Sequence, residues 1–149
     1  LKINKPYAEA RWIKNKYFSE ITKAREFIMK HQTACLQQGY TTDVFGRKYH
    51  VPTAMAYKAI NAYCQGSAAT VMKRAILKSP ALKQWGVHPI ITVHDELICE
   101  VPLQHVDVVA REGRKLFREP DLFAAPIEVD VEVSYTNWAE KKPYDFDKK

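Results

Sequence analysis

The residues best equipped for chemistry stand three in a row: His94, Asp95 and Glu96. They interrupt an apolar stretch, with Ile90-Ile91-Thr92-Val93 before them and Leu97-Ile98-Cys99-Glu100-Val101 after, bounded by Pro89 and Pro102. Short β-branched runs between prolines are strand signals. Two strands with so short a polar break predict a tight hairpin carrying a histidine and two acids at its tip. Burying an unpaired charge is costly, so the tip is either solvated or loaded with a cation. The bland account is a polar turn, because aspartate readily bonds nearby backbone there.

Two further groups could contact a ligand. Arg47 and Lys48 follow Gly46 at the expected turn of a hairpin spanning Tyr40 to Val51. Asn61 and Gln65 are four residues apart in a helical pattern and therefore share a face. The basic pair has an ordinary alternative as a solvated turn, and the amides as polar helix positions. His31, His50, His88 and His105 show no metal-ligand spacing and read as surface or packed histidines. Trp12, Trp85 and Trp138 read as packing residues, with Trp138 folding back onto the core.

Composition narrows the classes. The chain has 149 residues, 46% of them hydrophobic, which is enough for one domain with a real core. No apolar run is long enough to span a bilayer, and no signal peptide is seen. Together these predict a cytoplasmic or organellar protein with no membrane partner. Cys35, Cys64 and Cys99 are odd in number and far apart, which suits reduced thiols in apolar settings. The formal charge of +6 is uneven: residues 1–83 hold 15 Lys+Arg against 4 Asp+Glu, and residues 84–149 hold 8 against 13. A basic half of that kind suits a polyanion.

The elements that must position these residues follow from periodicity. Tyr7 to Gln38 reads as a long helix, with a break possible near Thr22 and Gly39 as its terminator. Thr53 to Ser79 reads as a second, with Gly66 inside it. An interior glycine costs about 1 kcal/mol relative to alanine, so Gly66 marks a close approach by backbone or ligand. Pro102 to Arg118 reads as a third helix, and Ile127 to Val133 as a half-buried alternating strand. Glu140 to Lys149 reads as a charged tail with little to anchor it. The fold class is α+β: an antiparallel sheet with a central hairpin, packed by long helices; whether that hairpin is metal-binding is left open by the pattern alone.

Three stretches carry a resemblance. Thr42-Asp43-Val44-Phe45-Gly46-Arg47-Lys48 resembles the T-x-F-G-R-[RK] turn of family A DNA polymerases, the bacterial polymerase I type. Asn61-Ala62-Tyr63-Cys64-Gln65-Gly66-Ser67-Ala68-Ala69 resembles that family's N-x-x-x-Q-G-[TS]-A-A helix. Val93-His94-Asp95-Glu96 resembles its V-H-D-E palm motif. They occur in the family's order, over roughly Arg11 to Lys142. Thr70 and Thr92 depart from it, standing where the family usually has Asp and often has Gln.

The resemblance implies roles. Asp95 would be one of two palm aspartates holding a pair of catalytic Mg2+ ions, Glu96 the adjacent supporting acid, and His94 a neighbour of the primer end. Asn61 and Gln65 would face the minor groove, and Arg47 with Lys48 the DNA backbone. The single unit would divide into residues 1–52, a late fingers helix with the basic hairpin, and 53–149, the C-terminal part of the palm. The expected partners are a DNA primer-template, deoxynucleoside triphosphates, and a companion polymerase chain. That companion would bring the missing palm aspartate, fingers helix and thumb, so the chain alone would be inactive. The alternatives are a non-catalytic nucleic-acid-binding module with the palm fold and, less favoured, a His-Asp metal phosphohydrolase. The latter needs further His and Asp ligands on helices, whereas His94-Asp95 falls between strands.

Overall fold

The computed structural model describes residues 5–147. Helices α1 (Tyr7–Glu20) and α2 (Thr22–Gln38) precede strands β1 (Tyr40–Thr42) and β2 (Lys48–His50). A 3-10 segment (Thr53–Lys58) leads into helix α3 (Ala59–Lys78). Then come strands β3 (His88–Val93) and β4 (Glu96–Glu100), helix α4 (Val106–Lys115), and short strands β5 (Glu132–Val133) and β6 (Lys142–Pro143). Each strand pairs only with its sequence neighbour, giving three separate antiparallel pairs among the described residues. The mixture of helices and small antiparallel sheets is α+β; one continuous sheet is not formed.

Contacts divide the chain into two compact units, 1–66 and 67–149. In the first, the expected long helix breaks at Ile21, whose φ of −115° and ψ of 65° are not helical. Ile21 and Thr22 are both β-branched, which weakens a helix locally. Helix α2 ends at Gly39 with φ +75°, its N–H donating to the Cys35 carbonyl at 2.8 Å. A left-handed glycine is the standard means of closing a helix. The core of this unit is small: Cys35, Val51, Ala56 and Ala59, with Met55 and Ala62 against them.

The second helix also starts later than its periodicity predicts. Met55, with φ −112° and ψ 17°, leaves helical geometry, so Thr53–Lys58 is 3-10 and α3 starts at Ala59. The second unit is centred on Ala75, Leu82, Val87, Val109 and Leu116, flanked by Trp85, Cys99, Val101, Val108 and Phe117. Helix α4 is shorter than predicted at both ends, preceded by a 3-10 turn over Leu103–His105.

Four expectations are corrected here. Ile127 to Val133 keeps the expected alternation of half-buried and exposed residues, but only Glu132–Val133 is strand. A strand needs a partner ladder, and β6 supplies one only at this end, with Tyr144 N–H reaching the Val131 carbonyl at 2.8 Å. Trp138 is 55% exposed and does not fold back onto the core. The charged tail is anchored as far as it is described, to residue 147: Tyr144 donates a hydrogen bond to Asp107, and Arg111 donates to the Phe146 carbonyl at 2.8 Å; Lys148 and Lys149 lie outside the described residues. The Arg114 guanidinium lies 4.5 Å from the Phe146 ring centre. Of the cysteines, Cys35 is buried and Cys99 partly so, but Cys64 is exposed rather than apolar in setting.

Candidate functional site

In the second unit the predicted hairpin is present and tight. Val93 pairs with Glu96, so His94 and Asp95 alone make the turn and Glu96 is the first residue of β4. His94 adopts φ +53°, the only positive φ among described non-glycine residues. Histidine is among the side chains that tolerate this region best. A left-handed first position suits two-residue hairpins, because it matches the right-handed twist of the strands. Pro89 has no N–H to donate, and the register slips between Pro89 and Ile91 to accommodate it.

The structure brings His94, Asp95 and Glu96 together, all exposed. The Asp95 carboxylate has no hydrogen-bond or ion-pair partner among the described residues. Glu96 is different: its Oε1 accepts from Lys141 Nζ at 3.0 Å, and the same ammonium lies 2.7 Å from Glu132 Oε2. Those two carboxylates, Glu132 first, raise the Lys141 pKa above its ordinary value. Glu96 is therefore held toward Lys141, while Asp95 is left open at the apex. No cluster of three or more His, Cys, Asp or Glu side chains able to hold a metal occurs among the described residues. An open carboxylate at the apex fits a ligand that contributes one donor to a shared Mg2+ site, since magnesium takes few protein carboxylates.

The other candidates belong to the first unit. Arg47 and Lys48 sit side by side and exposed where the β1–β2 turn enters β2. The Arg47 guanidinium lies 5.7 Å from the Tyr49 ring centre, and Lys48 Nζ lies 4.6 Å from that of Tyr40. Asn61 and Gln65 are both exposed on α3, one turn apart. Gly66, next to Gln65, meets the Tyr49 ring: a Cβ there would lie 2.5 Å from Tyr49 Cζ. The close approach expected at this glycine is thus by a side chain rather than by backbone or ligand.

Two supporting residues escaped the reading of the sequence. Asp43, 3% exposed, organises the Arg47 turn. Its Oδ1 accepts from the Phe45 and Arg47 N–H groups, each at 2.9 Å. An aspartate three residues before a glycine is an Asx-turn signal that could have found it. Lys141 had no such signal, because its partner Glu96 is 45 residues away. No helix among the described residues is long and apolar enough to cross a membrane.

Helices with small antiparallel strand pairs, one of them ending in an exposed acidic apex, define an α+β domain. The comparisons with known proteins sharpen this. The family model for DNA polymerase family A matches residues 1–140. The thermostable DNA polymerase I of Thermus aquaticus is 32% identical over 148 residues, covering 92% of this chain. The DNA polymerase I of Deinococcus radiodurans is 30% identical, also over 92% of this chain. Among solved structures, the POL domain of Pol1 from M. smegmatis, in complex with DNA primer-template and dNTP, matches with a TM-score of 0.75 at 25% identity. That match covers 85% of this chain and 25% of the other. This chain belongs to DNA polymerase family A. It spans 18% of the length of the Thermus aquaticus relative and 15% of the Deinococcus one.

Proposed function

We propose that this chain forms the C-terminal palm part of a DNA-directed DNA polymerase that extends a primer by template-directed nucleotidyl transfer. Residues 1–52 contribute the late fingers helices and the basic hairpin, and residues 53–149 the palm. The remaining metal-binding aspartate, the triphosphate site and the thumb come from polypeptide outside these 149 residues, so the isolated chain is inactive. The observation that carries this reading is the Asp95 carboxylate, unpartnered and exposed at the apex of a two-residue hairpin in a chain of this family.

Asp95 would hold Mg2+, which when bound supplies charge stabilisation for in-line displacement at phosphorus. Glu96, drawn toward Lys141, adds negative potential beside that carboxylate. His94 lies next to it in the turn, where it can approach a primer end. Asn61 and Gln65 offer amide groups to minor-groove acceptors, which are nearly the same for every base pair. Readout of that kind tolerates any sequence, as a polymerase must. Arg47 and Lys48 offer cations to backbone phosphates.

The test is primer extension by the assembled polymerase with Asp95→Ala and Asp95→Asn. Both variants are expected to lose nucleotide addition while retaining primer-template binding. Near-normal turnover would remove Asp95 from the metal site. Binding of DNA that ignores both magnesium and Asp95→Ala, with no extension by the wild-type assembly, would instead indicate a non-catalytic nucleic-acid-binding module.

A further inference from the structure

The turn that carries Arg47 is built around the buried carboxyl group of Asp43. Asp43 Oδ1 takes the Phe45 and Arg47 N–H groups, and its Oδ2 lies 3.3 Å from the Tyr49 hydroxyl. The backbone closes the same loop: Asp43 N–H donates to the Arg47 carbonyl at 2.9 Å, and Gly46 N–H donates to the Asp43 carbonyl at 3.1 Å. A buried carboxylate is tolerated only when hydrogen-bonded in this way.

Tyr49 joins that loop to helix α3. Its hydroxyl lies 3.3 Å from the Gly66 carbonyl oxygen as well as from Asp43, and the single hydroxyl proton is shared between the two acceptors. Its ring rests on the bare backbone of Gly66, where a Cβ would come within 2.5 Å. The ring is thus pinned at its hydroxyl and against a helix. The Arg47 guanidinium lies over it at 5.7 Å, inside the range of cation–π attraction.

An exposed arginine normally surrenders side-chain entropy when it grips a phosphate, and ordering it beforehand lowers that cost. We propose that Tyr49 is a positioning residue for nucleic-acid binding: its pinned ring is the platform that holds the Arg47 guanidinium ready for a backbone phosphate. The inference rests on the reading of Arg47 as a DNA contact. Tyr49 touches no DNA in this account and acts through Arg47.

The experiment is a double-mutant cycle on the full chain, reading affinity for a primer-template duplex over a range of salt. The variants are Tyr49→Leu, Arg47→Ala and the pair. Tyr49→Leu is expected to weaken binding about two- to fivefold, the value of an exposed cation–π contact. It is expected to add nothing once Arg47 is alanine. Tyr49→Phe keeps the ring and its packing on Gly66 but loses the hydroxyl anchor, and gives a smaller loss with the same dependence on Arg47. It carries the test if Tyr49→Leu does not fold. Arg47→Ala lowers the salt slope by about one phosphate contact. Losses from Tyr49→Leu or Tyr49→Phe that persist undiminished beside Arg47→Ala would make Tyr49 a general scaffold and overturn the proposal. So would unchanged affinity in both Tyr49 variants. If Arg47→Ala alone leaves affinity and salt slope unchanged, the reading of Arg47 fails and the proposal falls with it.

Discussion

Replacing Gly66 by alanine sets two effects of opposite sign against each other. Helix propensity alone favours alanine over glycine inside a helix by about 1 kcal/mol. The packing opposes it. The new Cβ would lie 2.5 Å from Tyr49 Cζ, 2.6 Å from Cε2 and 2.8 Å from the hydroxyl oxygen. Non-bonded carbons rest at roughly 3.5–4.0 Å, so the ring would have to retreat by roughly 1 Å or more. It cannot do so freely, because its hydroxyl is held between Asp43 and the Gly66 carbonyl. Overpacking costs about 1–3 kcal/mol, and loosening the shared hydrogen bond about 1 kcal/mol more. The expected net effect is destabilisation by about 1–3 kcal/mol. Urea unfolding followed by circular dichroism would show a lower midpoint at unchanged slope. Adding Tyr49→Leu should relieve the clash, so that alanine at 66 becomes neutral or favourable in that background. Stabilisation by about 1 kcal/mol in the otherwise native chain would refute the close packing of Tyr49 on α3.

Three other perturbations have defined outcomes. Glu119 is 8% exposed and accepts from Arg74 at 2.8 and 3.1 Å and from Lys78 at 2.7 Å. Arg74 first, then Lys78, hold its pKa below the ordinary 4.5, so this stability is full above 4.5 and lost as pH falls through the lowered value. Glu119→Gln should cost about 1–2 kcal/mol at neutral pH, discounted because both cations are partly exposed, and should flatten the acid limb of stability against pH. His31 packs between Phe27 and Tyr63 and hydrogen-bonds Thr41 at 2.8 Å; burial, and then Lys30, lower its pKa below 6.5. The folded state resists its protonation, so stability should fall as pH drops from 6.5 through the lowered value, and a His31→Gln chain should lack that step in pH-dependent unfolding. Lys141→Met should shift the urea midpoint only slightly, and less in 1 M salt, since its partners Glu96 and Glu132 are exposed ion-pair acids; a large, salt-insensitive loss in urea unfolding would contradict that.

What could be read from the sequence depended on how local the determining physics is. The hairpin apex at His94-Asp95, the terminator Gly39 and the tight spot at Gly66 are set within a few residues, and each lies where the pattern put it. The break at Ile21 falls beside Thr22, where the β-branched residue marks a possible one, whereas periodicity runs straight through Met55, so the second helix reads as longer than it is. Residues 127–131 show the opposite failure: their alternation sets which side chains turn inward, but cannot supply the partner strand that would make them sheet. The charged tail misled for a related reason, since Asp107 and Arg111, which hold it, are more than 30 residues away along the chain.

The hairpin shows why a motif can be legible while its surroundings are not. Ile91 and Thr92, adjacent and regularly paired on β3, are both exposed, so both faces of the strand are open there, and Ile90, unpaired at the register shift, is 58% exposed. Successive strand residues point to opposite faces, and apolar residues on both signal burial on both. The run from Ile90 to Val93 is therefore written for a more enclosed sheet than these residues build, and a lone two-stranded hairpin is at best marginally stable in water. On the proposed reading, polypeptide outside this chain covers those faces when it brings the second aspartate toward Asp95. Enclosing the strand and completing the metal site would then be a single docking event, so Ile90→Asp and Ile91→Asp should each suppress primer extension by impairing assembly. Full extension with both variants, at concentrations where the wild-type assembly is only half formed, would show that this face stays open in the working enzyme.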